Sequence, residues 1–130
     1  MQTFLPYPDF KKSAQCLDRA RLGKQRVECL TILNGKWRNH PVSKMWVGHE
    51  YQLAEYGKAI CLEWISRGYK DTCLEKISNL QKRFVDTGLP SWYGDDDFHV
   101  AHQSNLLRKN RSHYEKFFSV KDDLPYIYPR

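Results

Sequence analysis

The stretch from Val42 to Arg67, opened by Pro41 and closed by Gly68, constrains the fold more than any other part of the chain. Trp46, Leu53, Ile60 and Trp64 recur along it at heptad-like spacing, the pattern of a helix with one apolar face. Proline suits the first helical turn and glycine the position just past the last one. At about 1.5 Å per residue, an unbroken helix over this span measures about 39 Å, long enough to be the spine of a small domain. Gly57 lies on the same stripe and leaves room for a second helix to approach closely.

The remaining segments arrange themselves around that spine. Ser13 is a candidate N-cap for a helix running to Leu33, where Asn34-Gly35 supplies a stop, and Gly23 predicts a kink within it. A third helix is expected from Asp71 to Phe84, capped by Asp71 or Thr72, and a fourth from Phe98 to Lys109, capped by Asp97. A loop from Thr87 to Asp97 separates them, and a short aromatic turn (Tyr114, Phe117, Phe118) follows. Pro6 and Pro8 make residues 1–12 an extended N-terminal arm, and residues 121–130 read as an irregular tail. No convincing alternating strand is present. The expected fold is all-α, a compact helical bundle around one long central helix, and 130 residues suit one core rather than two.

The location expected is cytoplasmic. No apolar run reaches the roughly 18 residues that span a bilayer, so no membrane is expected as a partner, and the first residues do not follow the secretory pattern. Cys16, Cys29, Cys61 and Cys73 form no CxxC pair and read as small buried hydrophobes. His99 and His102 stand one helical turn apart without a third ligand of matching spacing, so no metal is expected, nor any other cofactor.

Charge and aromatic content point to a partner. Lys and Arg total 21 against 15 Asp and Glu, a net +6, and 14% of residues are aromatic. Cations pair with phosphates and flat rings stack on bases, which suits a nucleic acid or a nucleotide. Arg19, Arg21, Lys24 and Arg26 crowd one segment, with Gln25 among them and Arg38 downstream. Two readings stand for this segment: a solvated helix face with internal ion pairs to Asp18, or a phosphate-gripping surface with one embedded carboxylate. Glu50 sits on the stripe of the long helix, so it is expected to face inward or to line a cleft, as an acid or base or as a structural ion pair. Asn39 is a candidate cap and His40 a candidate titrating group where the chain enters that helix. His102, Asn105 and Arg108 are expected to face a cleft, and Trp37, Trp92 and Tyr93 are candidates for stacking.

The segments LDRARLGKQRVE, WRNHPVSKMW, EWISRGY and DTCLEKI, with the helix from His99 to Arg111 and the aromatic run to Phe118, resemble the pyrimidine-dimer DNA glycosylase (endonuclease V) family. The opening MQTFLPYPDF is similar to a divergent phage-associated subgroup, which would place the chain in a host cytoplasm. The resemblance covers most of the chain and implies an all-α fold that needs no metal. It also implies a chemistry in which the N-terminal α-amine attacks the anomeric carbon of a sugar in damaged DNA whose base pair is distorted. A glutamate of the first helix assists, an imine forms, and β-elimination nicks the strand. α-Amines in general titrate near 8, so a useful fraction is nucleophilic at neutral pH.

The chain departs from the family pattern twice. Gln2 stands where the family exposes a small residue after loss of the initiator, which leaves the amine on Met1. No Glu lies between Arg19 and Lys24, where the family's acid is expected; Asp18 is nearest, Glu28 lies beyond, and Glu50 is a spatial substitute. The expected function is therefore a DNA-base N-glycosylase with AP-lyase activity on damaged or modified DNA. Met1 or Lys24 is the nucleophile and Asp18 or Glu50 the acid–base partner. Arg19, Arg21, Lys24, Gln25, Arg26, Arg38, His40, His102, Asn105 and Arg108 form the binding surface. The alternatives are a non-catalytic nucleotide or oligonucleotide binder and an N-glycosidic hydrolase acting on nucleotides.

Overall fold

A computed structural model describes residues 1–129. In chain order it contains α1 (Phe10–Cys16), α2 (Arg19–Leu33), α3 (Pro41–Met45), α4 (Glu50–Ser66), α5 (Leu74–Gln81), α6 (Asp96–Lys109) and α7 (Arg111–Tyr114), and no strand among the described residues. The fold is all-α, as expected. None of these helices is long and apolar enough to cross a membrane.

The central helix is α4, against which α1, α2 and α5 pack. Leu53, Ala54, Tyr56, Gly57, Ile60 and Cys61 form its buried stripe. The close approach inferred at Gly57 is present: a Cβ there would sit 3.1 Å from Ile77 Cδ1 of α5 and 3.2 Å from Cys29 Cβ of α2. Gly57→Val should therefore overpack this junction and lower the unfolding free energy by about 1–3 kcal/mol, read from urea denaturation. An unchanged midpoint would show that α2 and α5 can move apart freely.

The spine is shorter than predicted. Gly48 adopts φ +84°, a conformation glycine takes without strain, and the turn built on it separates α3 from α4. Trp46, the first aromatic of the stripe, ends α3, donates its Nε1–H to Thr3 Oγ1 at 3.1 Å and meets Trp92 edge-on. With 17 residues, α4 is about 26 Å long at about 1.5 Å per residue.

The first predicted helix also divides, and not at Gly23. Leu17 and Asp18 are extended (ψ 139° and 159°) and separate α1 from α2. Gly23 lies inside α2 without a break, and a Cβ there would come within 2.9 Å of the Trp64 ring. Its role is close packing. Asp9 caps α1 by accepting from the Lys12 N–H at 2.8 Å, so helix begins at Phe10, within the predicted arm, and Ser13 lies inside it. Asp71 accepts from the Leu74 N–H at 2.8 Å at the start of α5, and Asp95 rather than Asp97 caps α6.

The largest departure concerns location. Gln2, Thr3, Phe4 and Leu5 belong to no helix but are buried, with Thr3 and Leu5 fully enclosed. Trp92, a candidate for stacking, is also buried and donates to the Met45 carbonyl, and Tyr93 packs against Phe10 and His99. Trp37 alone of the three is largely exposed, at 63%. All four cysteines are free and buried.

Candidate active site

A non-helical segment buried in a helical core has neither helix nor sheet to satisfy its peptide groups, so side chains must do it. The Gln25 carboxamide takes the place of a neighbouring strand: Oε1 accepts from the Phe4 N–H at 3.0 Å and Nε2 donates to the Gln2 carbonyl at 2.7 Å. The Tyr56 hydroxyl lies 2.6 Å from the Phe4 carbonyl oxygen and 2.8 Å from Gln25 Oε1, with its one hydrogen shared between these two acceptors. Two histidines of α6 hold the Leu5 peptide. His102 Nδ1 accepts from the Leu5 N–H at 2.9 Å, and His99, whose Nε2 accepts from the Gly94 N–H, donates from Nδ1 to the Leu5 carbonyl at 2.7 Å. Gln103 Nε2 donates to the Pro6 carbonyl at 2.7 Å.

This cradle delivers Met1 to a cleft of about 390 Å³. Ala20, Arg21, Lys24, Gln25 and Glu28 of α2 form one wall, all on successive turns of a single helix face. His40 closes one side, and Lys109, Tyr126 and Tyr128 close another. Glu28 is the acid among these lining residues. Its Oε2 accepts from the Gln2 N–H at 3.3 Å and from Gln25 Nε2 at 3.0 Å, so the cradle residue also orients the carboxylate. Arg21, Lys24 and Lys109 make the cleft basic.

His40, not Asn39, caps α3: its Nδ1 accepts from the Val42 N–H at 3.1 Å, which places the neutral ring's hydrogen on Nε2. Burial lowers its pKa, and the positive charge of the Met1 amino group lowers it further, against an opposing pull from Glu28.

Of the residues singled out from sequence, Met1, Arg21, Lys24, Gln25 and His40 meet in this cleft, and the others do not line it. Asp18 is 9% exposed, accepts from the Tyr114 hydroxyl and pairs with Arg21 at 3.2 Å. Burial raises its pKa, but the Tyr114 and Arg21 contacts outweigh that and hold the carboxyl below its ordinary range. It is a tied structural group rather than a free acid. Glu50 begins α4 and lines a separate apolar pocket with Ile32, Leu33, Trp46 and Phe84, where Arg38 also lies. Arg26 pairs with Asp71 at 2.6 Å and stacks on Trp64, and Arg19 stacks on Tyr69. These two arginines line a third, more open groove, to which Lys24 and Asp18 also contribute.

His102, Asn105 and Arg108 act one step away from the cleft. His102 is fully buried beneath the N-terminal segment. Asn105 Nδ2 and Arg108 Nη2 donate to the Leu124 carbonyl at 3.1 and 2.8 Å, pinning the tail that carries Tyr126 and Tyr128. Glu28 is the group that sequence reading passed over. The available signal was its place one turn beyond Lys24 on the face that carries Arg21. Among the described residues, no group of three or more His, Cys, Asp or Glu side chains is placed to hold a metal ion.

The buried His102 has a measurable consequence. Burial, with a smaller contribution from His99, pushes its pKa down to about 3. The unfolded chain binds this proton near the ordinary histidine value of about 6.5, so stability is complete above that pH and declines as pH falls towards the folded value. The slope from this group approaches about 1.4 kcal/mol per pH unit. Urea midpoints recorded between pH 7.5 and 5 should fall accordingly, and His102→Asn should flatten the decline. An equal decline in the variant would assign the acid sensitivity elsewhere.

The fold and the cleft define a class: an all-helical protein that brings an N-terminal residue, a carboxylate and three cations together. A family model described as pyrimidine dimer DNA glycosylase matches residues 1–76, more than half of the chain, which therefore belongs to that family. No curated protein and no solved structure matches the chain. The matched segment holds Met1, Arg21, Lys24, Gln25, Glu28 and His40, whereas Lys109, Tyr126 and Tyr128 lie beyond it.

Proposed function

We propose that this protein is a DNA-base N-glycosylase with AP-lyase activity on damaged DNA, working through an imine between the Met1 α-amine and the sugar. The observation that carries the reading is that Met1 and Glu28 share one basic cleft in a member of this family. The amine nitrogen bonds to C1′ as the glycosidic C–N bond breaks and the base leaves. Opening of the sugar ring yields the protonated imine. Loss of a proton from C2′ and departure of the 3′ phosphate then cut the strand, and water releases the amine. Glu28 exchanges protons with the amine and the opening ring, taking the role assigned from sequence to Asp18 or Glu50. Both hydrogen bonds to Glu28 end on Oε2, which leaves Oε1 for that exchange. Arg21, Lys24 and Lys109 hold the flanking phosphates, and a target base leaves its stack to reach the cleft.

Borohydride reduction during incubation with ultraviolet-irradiated or abasic duplex DNA should trap a covalent complex, with the sugar remnant mapping to the Met1 nitrogen. Adding one residue before Met1 should abolish trapping. A remnant on Lys24 would move the nucleophile there, and absence of both trapping and nicking would overturn the proposal.

A second reading, N-glycosidic cleavage of a free nucleotide, draws on the volume of the cleft. Its 390 Å³ lies in the range of about 300–1,000 Å³ typical of small-molecule sites. Free base released from a nucleotide mixture, with no action on duplex DNA, would select it.

A further inference from the structure

Two residues lining the cleft carry buried polar atoms with no partner in the protein: Gln2 Nε2 and the Tyr126 hydroxyl. Gln2 is only 5% exposed. Its Oε1 accepts from the Thr3 N–H at 3.0 Å, which fixes the carboxamide with the oxygen engaged and the NH2 left to donate. Tyr126 packs edge-on to His102 and against Phe4, and burial first among several influences pushes its hydroxyl up to about 12, so it stays protonated at neutral pH. Buried donors without acceptors destabilise a fold, and their clustering at one cleft is characteristic of a site completed by a ligand. What they lack is an acceptor. Neither is required by the bond-breaking chemistry.

We infer that Gln2 and Tyr126 read the target base, donating hydrogen bonds to the ring carbonyl oxygens of a thymine-type pyrimidine. Such a base carries two carbonyls, whereas adenine carries none and cytosine one, so a pair of donors selects among them by hydrogen bonding rather than by size. The inference rests on the glycosylase reading of the cleft and adds to it the group that recognises the base. The main chain of Gln2 holds Met1 in place through Glu28 and Gln25, while its NH2 remains free for the substrate.

The two steps of the reaction separate recognition from chemistry, because an abasic site has no base to read. The unaltered protein is tested first on a duplex with a single thymine dimer and on a duplex with an abasic site. Inactivity on both would overturn the glycosylase reading itself, before any variant is made. Given activity, Gln2→Met and Tyr126→Phe should each lower base excision at least about tenfold more than they lower trapping on the abasic duplex. Methionine is as bulky as glutamine, so Met1 is retained in the variant, and intact mass verifies it. Unchanged excision in both variants would overturn the inference. So would a parallel fall on both duplexes, which would make Gln2 and Tyr126 positioning residues for Met1.

Discussion

Glu28→Gln should lower base excision and borohydride trapping by about 10²–10⁴-fold, the usual contribution of a positioned acid–base group. The substitution is close to isosteric. A glutamine oxygen can still accept from the Gln2 N–H and from Gln25 Nε2, so the N-terminal segment should remain seated and thermal unfolding should barely change. Single-turnover rates on dimer-containing duplex DNA would measure the effect. Glu50→Gln is the matched control: that carboxylate lines a different pocket, and its loss should leave the rate within about twofold. The opposite ranking would return the acid–base role to the long helix.

Gln25→Leu should be the most damaging single substitution in the cradle. The side chain is 1% exposed and satisfies the Phe4 N–H, the Gln2 carbonyl, the Tyr56 hydroxyl and Glu28 at 2.7–3.0 Å. Leucine fills similar space but leaves these groups buried with fewer partners, at a cost of about 1–3 kcal/mol for each that finds no other. A loss of about 3–5 kcal/mol in unfolding free energy is expected from urea denaturation, a large part of the stability of an ordinary small domain. Trapping should disappear with it, because Met1 loses its anchor. A loss below about 1 kcal/mol would show that His99, His102 and Tyr56 hold the segment without Gln25.

Helix content was legible because it depends on local pattern: apolar spacing, Pro41 and the glycines that end helices. The breaks were less so. Leu17-Asp18 interrupts the first helix with neither Gly nor Pro present, and the turn at Gly48 falls within an apolar stripe whose period continues across it. Gly23 carries the strongest local signal for a kink, yet α2 runs through it, and the glycine leaves room for Trp64, which occupies the space a side chain would need. The site divides in the same way. Arg21, Lys24 and Gln25 belong to one helix face and were found together. Glu28 shares that face but was set aside because the sequence position expected for an acid lay earlier. His102, Asn105 and Arg108 are polar groups on α6 that also reach backbone atoms about 15 to 100 residues away in the chain, a relation with no local signature.

The seating of the N-terminal segment also imposes an order of assembly. Residues 2–5 are synthesised before the groups that hold them, and those partners arrive in turn: Gln25, then Tyr56, and last the two histidines of α6. Until that helix has been translated, Leu5 has no one to hold its peptide, and Met1 has no fixed address. A nascent or truncated chain lacking α6 would carry every cleft residue of α2 and still leave Met1 unplaced. The placement of Met1 is thus withheld until α6 has been made.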